Sequence, residues 1–97
     1  MGESLIWEKT GQTLVLKGTL DRDSLLPLWQ QKEKLLADIN SINVSQLEYV
    51  DSTGLALLVR FKHHMQKRGD KLRFSGIDER LNTLITLYDL QEMIIDS

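Results

Sequence analysis

Ninety-seven residues are enough for one small domain with a modest core. The composition, 41% hydrophobic and 27% charged, is ordinary for a globular chain, and a net charge of −2 gives no bulk attraction for nucleic acid. No cysteine is present, so disulfides and thiolate metal sites are excluded and a reducing compartment is allowed. The opening MGESLIWEKTG has no signal-peptide apolar run, and no stretch approaches the roughly 20 apolar residues of a membrane span. The expectation is a soluble, cytoplasmic single domain over residues 1–97, without linker, repeat or low-complexity tract.

In chain order, Leu5–Glu8 and Thr13–Lys17 are short apolar runs flanking Thr10-Gly11-Gln12, a hairpin signal. Gly18-Thr19-Leu20-Asp21 breaks that pattern. Asp23 or Ser24 can then N-cap a helix from about Leu25 to Ala37, with Pro27 tolerated in its first turn. Leu25, Leu28, Trp29, Lys32, Leu35 and Leu36 give that helix an apolar face. Ile42 to Leu47 alternates like a strand. A second helix follows Val50-Asp51 and runs to about Arg68, closed by Gly69. Lys71 to Ser75 reads as a strand, Glu79 to Tyr88 as a third helix, and Met93-Ile94-Ile95 as a short terminal strand or tail. The order β-β-α-β-α-β-α-β predicts an α/β fold, a mixed sheet of about five strands with three or more helices packed on it.

The segment YVDSTGLALLV, residues 49–59, carries the functional question. Asp51, Ser52 and Thr53 all suit a strand-to-helix boundary, where a side-chain oxygen accepts from first-turn N–H groups, and Gly54 permits close backbone approach. As structure, that is a turn with redundant caps. As function, a helix N-terminus favours an anion, which makes Ser52 a candidate phosphorylation site. Five apolar residues follow, Leu55 to Val59, and at about 100° per residue they point all round the helix. Leu55, Leu58 and Val59 lie together and can face the sheet, whereas Leu57 and Phe61 need other cover. That cover is either a neighbouring helix or a partner protein.

Enzyme readings find little support. His63 and His64 diverge on a helix and cannot share a metal as an i, i+4 pair could, and solvated side chains on a basic helix end explain them better. Ser52 lacks a nucleophile-elbow pattern, and no Walker motif is present. Trp7 and Trp29 fit core or staple positions rather than a ligand cage. Residues 60–73, RFKHHMQKRGDKLR, hold six of the twelve Lys and Arg and one acid, Asp70. A solvated helix end is the simpler account of this run; contact with an acidic partner or anionic headgroups is the functional one.

VDSTGLALLV resembles the signature of the STAS domain, the fold of anti-sigma factor antagonists and of the cytoplasmic domains of sulfate transporters. The resemblance covers nearly the whole chain. In that family the serine after the aspartate is the phosphorylated switch residue of many members, a position held here by Ser52 between Asp51 and Thr53-Gly54. The runs LLPLW (25–29) and LYDL (87–90) are more discriminating. They are similar to the branch that forms the STAS subunit of a phospholipid-transport ABC system of Gram-negative bacteria.

That branch implies a non-catalytic, cytoplasmic subunit, peripheral on the inner membrane and docked on the ATPase of a transporter that maintains outer-membrane lipid asymmetry. Asp51, Ser52, Thr53, Gly54, Leu55, Leu57 and Leu58 would meet the partner, with the loop around Gly18 to Asp23 beside them. No cofactor, metal or nucleic acid is implied, and membrane contact would be indirect. The best-known member of the branch is expected to carry threonine where Ser52 stands, which brings this chain nearer the phosphorylatable branch. The alternatives are a phosphorylation switch acting through Ser52 on an anti-sigma-type partner, and a small lipid-binding protein.

Overall fold

The structure is a computed structural model that describes residues 5–94. Strands β1 (Ile6–Thr10) and β2 (Thr13–Leu20) form the expected antiparallel hairpin, with Thr10 opposite Thr13. Gly11, at φ 59°, supplies the left-handed first turn position that fits the twist of a two-residue hairpin. Two short helices follow, α1 (Leu25–Gln30) and α2 (Lys32–Leu35), then β3 (Ser41–Val50), α3 (Ser52–Lys67), β4 (Arg73–Ser75), α4 (Glu79–Leu87) and α5 (Gln91–Ile94). The sheet order is β1-β2-β3-β4, with β3 parallel to both β2 and β4. This is the expected α/β mixed sheet with helices packed on it.

Four local expectations change. First, β2 continues through Gly18 and Thr19 to the buried Leu20. Gly18 sits at φ 90°, and the pairing register with β3 slips on either side of it, so the irregularity is absorbed as bulges. Those slips reset the inward phase of β3, whose buried residues run Ile42, Val44 and Leu47 in place of strict alternation. Second, the helix expected over Leu25–Ala37 breaks at Gln31 (φ −102°, ψ 12°), and its two pieces still turn Leu28, Leu35 and Leu36 inward. Third, neither Asp23 nor Ser24 caps α1 through its side chain; the Asp21 carboxylate accepts from the Asp23 and Ser24 N–H groups, both at 3.0 Å.

Fourth, among the described residues there are four strands, not five. Met93 and Ile94 belong to α5, and Ile95 lies outside the described residues. The chain reverses at Asp89 (φ 58°), which sends Met93 and Ile94 back onto α3, where Ile94 is buried.

The core joins the inward residues of β2 and β3 to Leu55, Leu57, Leu58, Phe61 and Met65 of α3. No helix among the described residues is long and apolar enough to cross a membrane.

Candidate functional site

The site is built where β2 and β3 end side by side and α3 begins. Asp51 adopts an extended backbone (φ −95°, ψ −178°) and caps α3, its Oδ1 accepting from the Gly54 N–H at 2.7 Å. Its Oδ2 accepts from the Arg22 N–H at 3.4 Å, and its own N–H donates to the Leu20 carbonyl at 3.3 Å. One residue thus ties the helix start to the end of β2 and to the loop after it.

Gly54 completes the clamp. A Cβ at this position would overlap the carbonyl oxygen of Leu20 and stand 2.9 Å from its carbonyl carbon and Cγ. Only glycine lets the first helical turn lie this close to the neighbouring strand. The hydroxyl residues between these two fixed points, Ser52 and Thr53, are exposed.

The apolar run divides differently from expectation. Leu55, Leu57 and Leu58 are 1%, 3% and 1% exposed, so they are core residues and do not offer a partner a free surface. The buried Gly54 belongs with them. Val59, expected against the sheet, is half-buried at the solvent edge, and Ala56 is exposed. Leu57 and Phe61 receive their separate cover from α1, where Trp29 stacks on Phe61 at 6.0 Å between ring centroids and 13° between planes. The helix is therefore packed against the sheet, α1, α4 and α5, with one side left open.

That open side is grooved. Leu25, Trp29, Thr53, Ala56, Leu57 and Arg60 line a depression of about 230 Å³ next to the Ser52–Thr53 turn. Leu57 forms part of its floor. Leu26, part of the LLPLW run but not of the helix's apolar face, stands at 53% exposure on the adjoining helix. Its position three residues before the half-buried Trp29, just outside the apolar stripe, is the signal that could have found it.

The basic run divides as well. Lys62 is buried, its Nζ 6.0 Å from the Phe74 ring centroid. Arg68 donates to the carbonyls of Leu36 (3.4 Å) and Ala37 (3.5 Å) and pairs with Asp70 at 3.0 Å, fastening the end of α3 to the end of α2. Arg60 and Lys67 remain on the exposed side of α3, with His63 exposed and His64 half-buried between them. Trp7 packs half-buried against the core, as expected.

Against known proteins, the family model described as "Mlab, STAS domain" matches residues 5–96. The intermembrane phospholipid transport system binding protein MlaB of Escherichia coli (strain K12) is 42% identical over 90 residues, covering 93% of each chain. The protein of the same name from Haemophilus influenzae is 36% identical over 88 residues, 84% of each chain. The anti-sigma-B factor antagonist of Bacillus subtilis is 31% identical over 84 residues, 87% of this chain and 72% of its own. Among solved structures, the unphosphorylated anti-sigma factor antagonist SpoIIAA superposes with a TM-score of 0.65 over 87% of this chain and 83% of its own. At 15% identity that likeness establishes the fold alone.

Proposed function

This chain belongs to the STAS domain family, in its MlaB branch, and on that premise we propose that it is a non-catalytic subunit of an intermembrane phospholipid transport system. It docks on the ATPase subunit of an inner-membrane ABC transporter from the cytoplasmic side and tunes or stabilises that ATPase. ATP chemistry belongs to the partner, and the chain needs no cofactor of its own. The observation that carries this reading is the first turn of α3. Ser52 and Thr53 are exposed, yet their backbone is pinned by Asp51 on one side and Gly54 on the other. A pinned and exposed turn keeps its shape on binding, so little ordering entropy is lost at the interface.

The docking surface consists of Ser52 and Thr53 with the loop of Asp21 to Asp23. Asp51 and Gly54 position that surface, and Leu55, Leu57 and Leu58 support it from beneath.

The test is a pull-down of the tagged protein from membranes of its host, wild type against Ser52→Glu. The variant should keep its fold, because an acid is tolerated at a helix N-terminus. It should lose at least tenfold of the bound ATPase and permease. Equal recovery of both proteins by wild type and variant overturns the reading.

A second reading rests on the exposure of Ser52 at the first helical position. Phosphorylation there would add about −1.5 to −2 charges beside Asp51 and expel a partner held through this turn. Recovery of a soluble serine kinase and an anti-sigma-type protein, with no transporter, would select it.

A further inference from the structure

The groove beside the Ser52–Thr53 turn does not stop there. It runs on along the open side of α3 into a larger depression of about 590 Å³ between α1 and α5, and the two share Trp29, Ala56 and Arg60. The larger part has an apolar floor of Trp29, Ala56, Val59, Leu90 and Met93. Its rim carries Lys32, Arg60, His63, His64 and Lys67, and no carboxylate lines it among the described residues. A third depression, of about 300 Å³ between the end of β3 and α4, has Glu48, Asp78 and Arg80 in its lining. Of these depressions, the α3 groove alone is charged in one sense among the described residues. It is so on a chain whose net charge is −2, so its basic character is local.

From this we infer that the α3 groove receives an acidic amphipathic α-helix of the partner, laid along α3 from Thr53 to Lys67. The inference rests on the docking reading and gives the chemistry of the partner segment. Length supports a helix. Ala56, Arg60, His63 and Lys67 recur at helical spacing on one side of α3, a stripe of ~16 Å or three turns at 1.5 Å per residue. Shape supports it too. The apolar floor is recessed between two flanking helices, so a rounded helix with anchors at i, i+3, i+4 and i+7 reaches it, whereas a flat bilayer surface meets only the rim. Charge sets its composition. Apolar anchors face Val59 and Met93, and carboxylates meet the basic rim of Lys32, Arg60 and Lys67. Lys32 is held in place, its Nζ 4.3 Å from the Trp29 ring centroid.

The experiment places a photo-crosslinking amino acid at His63 in the full-length protein in its host, and a second one at Thr53, with the adducts sequenced. The expected result is a crosslink from both positions to one ATPase or permease, and from His63 to a segment with Asp or Glu at helical spacing. The double variant Arg60→Glu/Lys67→Glu should lower the His63 adduct at least tenfold with an unchanged circular dichroism spectrum, since both side chains are exposed. An ATPase adduct from Thr53 but none from His63 overturns this inference and leaves the docking reading standing. No transporter adduct from either position overturns both. A lipid adduct, a second copy of this chain, or a partner segment without carboxylates at His63 also overturns the inference.

Discussion

Helices α3 and α4 are built on the same plan and end up in different employment. Each is capped by an aspartate in extended conformation, Asp51 accepting from Gly54 N–H at 2.7 Å and Asp78 from Leu81 N–H at 2.8 Å. Each is closed by paired reverse bonds around a left-handed residue. In α3, Gly69 (φ 82°) donates to Gln66 and Asp70 to Met65; in α4, Asp89 (φ 58°) donates to Thr86 and Leu90 to Ile85. The difference lies at the third helical position. Gly54 presses the start of α3 onto the Leu20 carbonyl, whereas α4 carries Leu81 there and uses it as an ordinary core contact. The same capping chemistry thus serves plain helix initiation in one case and a pinned, exposed turn in the other. What separates them is the approach of a neighbouring strand.

The sharpest way to break this comparison is through the cores of the two helices. Leu58→Ala should cost on the order of 2–5 kcal/mol in denaturant unfolding, because Leu58 is fully buried in the core. The same truncation of the half-buried Leu84 of α4 should cost less. Equal costs would mean that α3 is no more embedded than α4. Gly54→Ala comes next, at about 1–3 kcal/mol, since the added methyl meets backbone that cannot rotate away. A fold that accepts this alanine at no cost would remove the strand contact from the argument. The smallest effect separates the two caps. Asp78→Ala should cost about 1 kcal/mol and Asp51→Ala nearer 2 kcal/mol, because Asp51 also holds Arg22 N–H of the loop. Identical losses would show that the Asp51 link to the loop contributes nothing.

Much of this was legible in the chain itself. Asp51 as a cap, Gly54 as a close approach and Gly69 as a helix stop all follow from what the flanking residues need locally. The glycine in the β1–β2 turn belongs with them. The α/β order was legible from periodicity for the same reason, since a helix or a strand declares its period within a few residues. The family signature around Ser52 was legible only as a resemblance, since of its residues the turn itself requires Asp51 and Gly54, while Ser52 and Thr53 are exposed.

Tertiary structure decided the rest. Leu55, Leu57 and Leu58 look alike in the sequence to a surface waiting for a partner, and only the placement of α1 and the sheet buries them. Lys62 and Arg60 are two basic residues in one run. The helix turns them to opposite sides, one into the core beside Phe74 and one onto the groove. The terminal Met93-Ile94 pair has the composition of a strand, yet the left-handed turn at Asp89 leads it back to α3, so it packs as helix. Local chemistry sets which elements form. Exposure, and with it the surface open to a partner, depends on contacts between residues far apart in the chain, which no short window of sequence contains.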